Sequence, residues 1–148
     1  MPGYVEVALK KFQHLMSFRL QYAPHPYSRP DYSVKTQFTP DADKSAPLTA
    51  DGIQQLQQVV GTFLFYGRAI DYNALFALGN LAAEQAKGTK KTAENMAWFL
   101  NYMSTNLNAT LQYHASGMVL HYHSNASYLS EPKARSRAGD FFYLSYLE

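Results

Sequence analysis

Pro24, Pro26, Pro30, Pro40 and Pro47 crowd into one stretch and constrain the chain more than any other feature. Each fixes φ and lacks a backbone N–H, so neither a helix nor a central strand can run through them. Tyr, Ser, Asp and Lys fill the intervals. Residues 23–48 are therefore read as a linker or an extended arm, and regular structure must lie on either side.

Ahead of the arm, in residues 1–22, Val5, Ala8, Leu9, Phe12 and Met16 recur at helical spacing behind Pro2 and Gly3, which predicts one amphipathic helix. After it, over 49–107, three more helices are expected. Thr49 is placed to cap the first, whose apolar side is Ile53, Leu56, Val59, Val60, Phe63 and Leu64, with Gly67 placed to stop it. Asp71 caps a second bearing Leu75, Leu78 and Leu81, which ends near Lys87 and Gly88. Thr89 or Thr92 opens a third, bearing Met96, Phe99, Leu100 and Met103. Helices joined by such short loops pack on one another.

Beyond Asn108 the period becomes extended. Thr110–His114, Met118–His123 and Phe141–Leu144 are rich in aromatic and β-branched residues, with Gly117 and Ser130-Glu131-Pro132 supplying turns. Residues 108–148 should form a small antiparallel sheet, which makes the fold class α+β.

Composition narrows the functional classes. In 148 residues, 47% hydrophobic with twelve Tyr and nine Phe, there is enough apolar surface for one core. A net charge of +2 is too small to act as an electrostatic footprint for nucleic acid by itself. With no cysteine, disulfides, thiolate metal sites and a cysteine nucleophile are excluded. No stretch of about 18 apolar residues occurs, so no membrane partner is expected. Two sequons, at Asn108 and Asn125, are read as chance matches because no secretion signal accompanies them.

The order of these pieces resembles the copia-type retrotransposon Pol polyproteins. Val60-Gly61-Thr62-Phe63-Leu64-Phe65-Tyr66 is similar to that family's GxLxY helix, Arg68-Ala69-Ile70-Asp71 stands where it usually writes Arg-Pro-Asp-Ile, and Phe99-Leu100-Asn101-Tyr102 resembles its YL helix. His123-Ser124-Asn125-Ala126-Ser127, with Ala134 to Leu144 after it, is similar to the signature SDAxW…RSTSGxxFxL that opens ribonuclease H. Pro2-Gly3-Tyr4-Val5 and Ala8-Leu9-Lys10-Lys11-Phe12 look like the thumb segment.

The resemblance implies a thumb-like helix (1–22), a proline-rich linker (23–48), the three-helix connection of reverse transcriptase (49–107) and an incomplete ribonuclease H-like sheet (108–148). It implies an ancestral role in RNA-directed DNA synthesis and RNA/DNA hybrid degradation, inside a cell, with the remainder of the Pol polyprotein as a partner. The alternative is a non-catalytic nucleic-acid-binding remnant.

Ribonuclease H of this family uses magnesium held by several carboxylates, which generate the attacking hydroxide and neutralise the leaving oxygen. The first is the Asp of SDA, and here that position holds Asn125, which supplies an oxygen without charge. The family's other carboxylates and the polymerase's paired aspartates are expected to lie outside this chain. Hence no catalytic residue, no metal site and no cofactor of the chain's own are expected. For this chain Asn125 is read as a polar strand residue at a sheet margin, with no metal role, ahead of any residual ligand role.

Lys133, Arg135 and Arg137 alternate in a turn where the family holds the hybrid; they are nucleic-acid-binding candidates, for an RNA/DNA hybrid or a duplex, or simply a solvated turn. Lys87, Lys90 and Lys91 have the same two readings. His121 and His123 share a strand face with Asn125, which invites a metal reading. Phe63, Phe99 and Trp98 are expected in or near the core, whereas Tyr22, Tyr27 and Tyr32 have no core to join.

Overall fold

Two threonines set where the longest helices begin. In the computed structural model, which describes residues 1–27, 43–128 and 136–147, Thr49 is extended and its hydroxyl accepts from the Gly52 N–H at 3.2 Å, starting α2 (Ala50–Ala69). Thr89 starts α4 (Lys90–Thr105) with a reciprocal pair: its hydroxyl accepts from the Thr92 N–H at 3.3 Å, and the Thr92 hydroxyl accepts from the Thr89 N–H at 3.0 Å. Both bonds satisfy N–H groups that a helix start leaves without partners. Thr92 also donates to Glu84 at 2.6 Å, which ties the start of α4 to the end of α3 (Ala74–Glu84).

Helix α1 (Tyr4–Lys11) is shorter than the apolar spacing through Met16 predicts. It ends because Gln13 turns left-handed, at φ 53°, so that its N–H reaches the Lys10 carbonyl and the His14 N–H reaches Leu9. That is the Schellman pattern of closing hydrogen bonds, made here without glycine. Met16 consequently lies outside the helix and is exposed.

The described residues divide into two compact units, Met1–Tyr27 with Asp43–Leu111, and residues from 112 onward. In the first, Val5 and Leu9 of α1, Leu56, Val59 and Phe63 of α2, Ala77, Leu78 and Leu81 of α3, and Phe99 and Met103 of α4 share one core. Phe63 meets Phe99 edge-on at 5.4 Å. Full burial of each large side chain here contributes about 1.5–3 kcal/mol before the cost of ordering it.

Gly67 does not end α2, as its glycine character suggested; it is buried inside the helix. A Cβ there would stand 3.1 Å from Leu75 Cδ2 and 3.2 Å from Leu78 Cδ1, so the missing side chain is what lets α3 approach. Helix α3 itself stops at Glu84, before the Lys87-Gly88 pair. Gly88 instead lies against Leu48, Ile53 and Leu56.

The described ends of the proline-rich region, and Gln21 just ahead of it, are hydrogen-bonded to the helices. Asn106 and the Thr105 hydroxyl engage the backbone of Gln21, and the Trp98 indole N–H donates to the Ala23 carbonyl at 2.9 Å. On the far side, the Leu48 N–H donates to Gly88 and the Lys90 N–H to Ala46, both at 2.9 Å. Trp98, expected near the core, is therefore 40% exposed, while Phe63 and Phe99 are fully buried. Tyr22 and Tyr27 are exposed; Tyr32 lies outside the described residues.

The second unit is a two-stranded antiparallel sheet of β1 (Val119–Ala126) and β2 (Ala138–Ser145), registered from Val119 opposite Ser145 to Ala126 opposite Ala138. Thr110–His114, expected as a strand, is irregular: a strand persists by sharing its backbone hydrogen bonds with a neighbour, and no described segment pairs with this one. The molecule is thus α+β, with four helices and two strands among the described residues.

Candidate nucleic-acid interface

Residues opposite one another in an antiparallel pair project from the same face. The register therefore sorts the hairpin into one face with His121 and Tyr143, His123 and Phe141, and Asn125 and Gly139, and another with Leu120 and Leu144, Tyr122 and Phe142, and Ser124 and Asp140.

The first face is a ladder of rings. His121 and His123 both stack on Tyr143, with centroids 5.1 and 5.6 Å away and planes within 15° and 12° of parallel, and Phe141 lies 5.6 Å from the same phenol. His121 Nε2 lies 3.1 Å from the Tyr146 carbonyl, to which it can only donate, and His123 Nε2 lies 3.2 Å from the Tyr143 hydroxyl. A ring nitrogen donating to a carbonyl has no lone pair to offer a cation. The two imidazoles are thus organised around a phenol rather than around a shared metal position, and no group of three or more metal-ligating side chains occurs among the described residues.

Asn125 sits exposed near the end of β1, opposite Gly139. The carboxylate closest to it in register, Asp140, belongs to the other face, where it accepts from the Tyr122 hydroxyl at 3.2 Å. One neutral amide oxygen with no carboxylate beside it among the described residues does not fit the magnesium site that the family resemblance implies.

Arg137 immediately precedes β2. Its N–H donates to Ser127 Oγ at 3.0 Å and its carbonyl accepts from the Ser127 N–H at 2.8 Å, which closes the hairpin beyond the last strand pair. Lys133 and Arg135, the other members of the basic turn, lie outside the described residues. Lys87, Lys90 and Lys91 are exposed around the start of α4.

The helical unit holds a second polar cluster, which sequence reading treated only as a helix cap. Asp71 is 3% exposed in the turn between α2 and α3, bonded to Asn73 and 3.5 Å from the Tyr102 hydroxyl. Burial raises its carboxyl above the ordinary value, against the lowering effect of the bonds from Asn73 and Tyr102. Burial, and then the neighbouring Asp71 charge, raises Tyr66 and Tyr102, so both phenols keep their protons. The signal was present in the sequence as an Asp and two tyrosines on separate helices, but nothing in their spacing shows that they converge.

Comparison with family models, with curated proteins and with solved structures returned no match. No described helix is long and apolar enough to cross a membrane.

Proposed function

We propose that this chain corresponds to the stretch of a copia-type retrotransposon Pol polyprotein that joins the reverse-transcriptase connection to the opening of ribonuclease H, and that it carries out no catalysis alone. The observation that supports this reading is the order of elements: three short-looped helices followed by an antiparallel hairpin, with Asn125 on its first strand and Arg137 immediately before its second. The missing charge at Asn125 accounts for the lack of catalysis, because hydrolysis in this family depends on carboxylate-held metal. The test is to sequence the DNA on either side. A palm hairpin with paired aspartates upstream and further ribonuclease H strands downstream supports the reading. Unrelated sequence on both sides overturns it.

A second reading, a nucleic-acid-binding remnant, draws on the exposed rings of His123, Phe141 and Tyr143 on the same hairpin that Arg137 closes. Rings stack on bases and cations contact phosphates, the latter in a salt-dependent way. Fluorescence anisotropy of a labelled RNA/DNA hybrid across a salt series decides it. Saturable binding that weakens as salt rises supports a binding role for Lys133, Arg135 and Arg137. Absence of binding at low salt removes it.

A further inference from the structure

Between α1 and Pro24 the chain crosses α4 as a strap that turns its polar groups inward. The Ser17 N–H donates to Ser104 Oγ at 3.1 Å, the Gln21 N–H to Thr105 Oγ1 at 3.2 Å, and the Gln21 side-chain amide to the Trp98 carbonyl at 2.7 Å. The Ser17 hydroxyl also bonds the Arg19 N–H and carbonyl, at 3.3 and 3.0 Å, which fixes the bend that carries Phe18. Apolar side chains stand out from this anchored backbone: Phe18 is 106% exposed, Leu15 85%, Tyr22 84%, Leu20 62% and Met16 49%. Single exposed apolar side chains are ordinary. Here they follow one another along one strap, and Leu15, Met16 and Phe18 line one groove with Phe12, Met96 and Leu100, so they make a continuous strip.

The charge beside the strip is of one sign. Lys10, Lys11 and Arg19 are exposed, the Lys11 ammonium lies 5.4 Å from the centre of the Phe12 ring, and no acidic residue occurs from Val7 through Tyr27. Glu6 in the first turn of α1, and Asp51 and Glu94 on the helices that supply Gln55 and Met96, do not line the groove. Tyr22 and the partly exposed Trp98 add rings with an apolar body and one polar edge, the type enriched at the depth of lipid headgroups.

Size separates two kinds of occupant. The strip exposes apolar area on the order of 500 Å², short of the roughly 800 Å² that each partner of a stable protein complex contributes. A lipid surface asks for no matching shape, each inserted side chain adds to binding by itself, and basic residues draw the strip to anionic headgroups. We infer that the strap from Leu15 to Tyr22 is a peripheral contact for an anionic lipid surface, with Phe18 and Leu20 inserted and Lys10, Lys11 and Arg19 on the headgroups. Such contact lies on a membrane and needs no spanning helix. It departs from the expectation of no membrane partner, which rested on spanning length alone. It does not rest on the retrotransposon reading, because it uses only the helical unit.

Trp98, the single tryptophan of the chain, bonds to Gln21 and Ala23 and so reports on the strap. The test is titration of the full chain with vesicles of phosphatidylcholine alone and of phosphatidylcholine mixed with phosphatidylserine, read by Trp98 emission and by co-flotation. Mixed vesicles should shift the emission to the blue and bind roughly tenfold more tightly than neutral ones, an advantage that shrinks as salt rises. Phe18→Ser, at a fully exposed side chain, should weaken binding to mixed vesicles roughly tenfold. Arg19→Gln should weaken binding to mixed vesicles and leave neutral ones unchanged. Equal binding to the two vesicle types, undiminished binding by Phe18→Ser, or no binding at all would overturn the inference. A Trp98 shift that follows protein concentration without vesicles would also overturn it, because a second copy then covers the strip. If a variant fails to fold, the comparison of the two vesicle types with the unaltered chain still decides.

Discussion

The Tyr102 hydroxyl, on the last turns of α4, lies 3.5 Å from the carboxylate of Asp71, in the turn between α2 and α3. The contact joins two segments 31 residues apart and puts an acid where water hardly reaches. Because burial raises the Asp71 carboxyl above its ordinary 3.8, the folded chain holds that proton to a higher pH than the unfolded chain does. The folded state then binds more protons in this window, so the contribution of Asp71 to stability is greatest below about pH 3.8 and is lost as pH rises through its folded value. Asp71→Asn should flatten the pH dependence of the melting temperature above pH 3.8 and leave neutral-pH stability undiminished. Parallel melting curves for both proteins across that range would show that Asp71 does not carry the effect.

Gln13 is the residue whose backbone ends α1, and it does so in a conformation that costs a side-chain-bearing residue about 1–2 kcal/mol relative to glycine. Gln13→Gly relieves that cost but gives the unfolded chain more freedom, which removes part of the gain. A net stabilisation of about 0.5–1 kcal/mol is expected by denaturant titration. A loss of stability would mean that the Gln13 side chain contributes more than its backbone strain costs.

At Gly67 the opposite sign holds. Leu75 and Leu78 already stand 3.1 and 3.2 Å from where a Cβ would be, so Gly67→Leu has to push α3 away from α2. Overpacking of this kind costs about 1–3 kcal/mol, more than the helix propensity that leucine would restore. The measurement is the denaturation midpoint, which should fall. An unchanged midpoint would mean that the interface between α2 and α3 can open without penalty.

What the sequence made legible follows from how local each signal is. Thr49 and Thr89 act within three residues of themselves, and both cap the helices expected of them. Gly67 shows the limit: a glycine that ends a helix and one that admits a neighbouring helix are the same letter, and only the position of α3 separates them. Gln13 gives no warning at all, since nothing in its side chain favours a left-handed backbone. Thr110–His114 has the composition of a strand but finds no partner among the described residues, and Trp98 has the size of a core residue but spends its N–H on Ala23. Of the candidate site, Asn125 and Arg137 fall on one hairpin, and the convergence of Asp71 with Tyr66 and Tyr102 could be found only in three dimensions.

The hairpin has consequences for association. Leu120 and Leu144 face one another across β1 and β2, with Tyr122 and Phe142 as the next pair, and all four are exposed. A two-stranded sheet is marginal in water by itself, and edges that no described segment pairs, beside an apolar face, invite pairing with another chain. The purified chain should therefore self-associate as its concentration rises, seen as an increase in mass by light scattering after size exclusion. Leu144→Lys leaves the Tyr122–Phe142 pair intact and puts a charge into the apolar strip, so it should shift the same series toward monomer. A wild-type chain that stays monomeric throughout, or a variant that associates as readily, would show that these residues do not drive contact between copies.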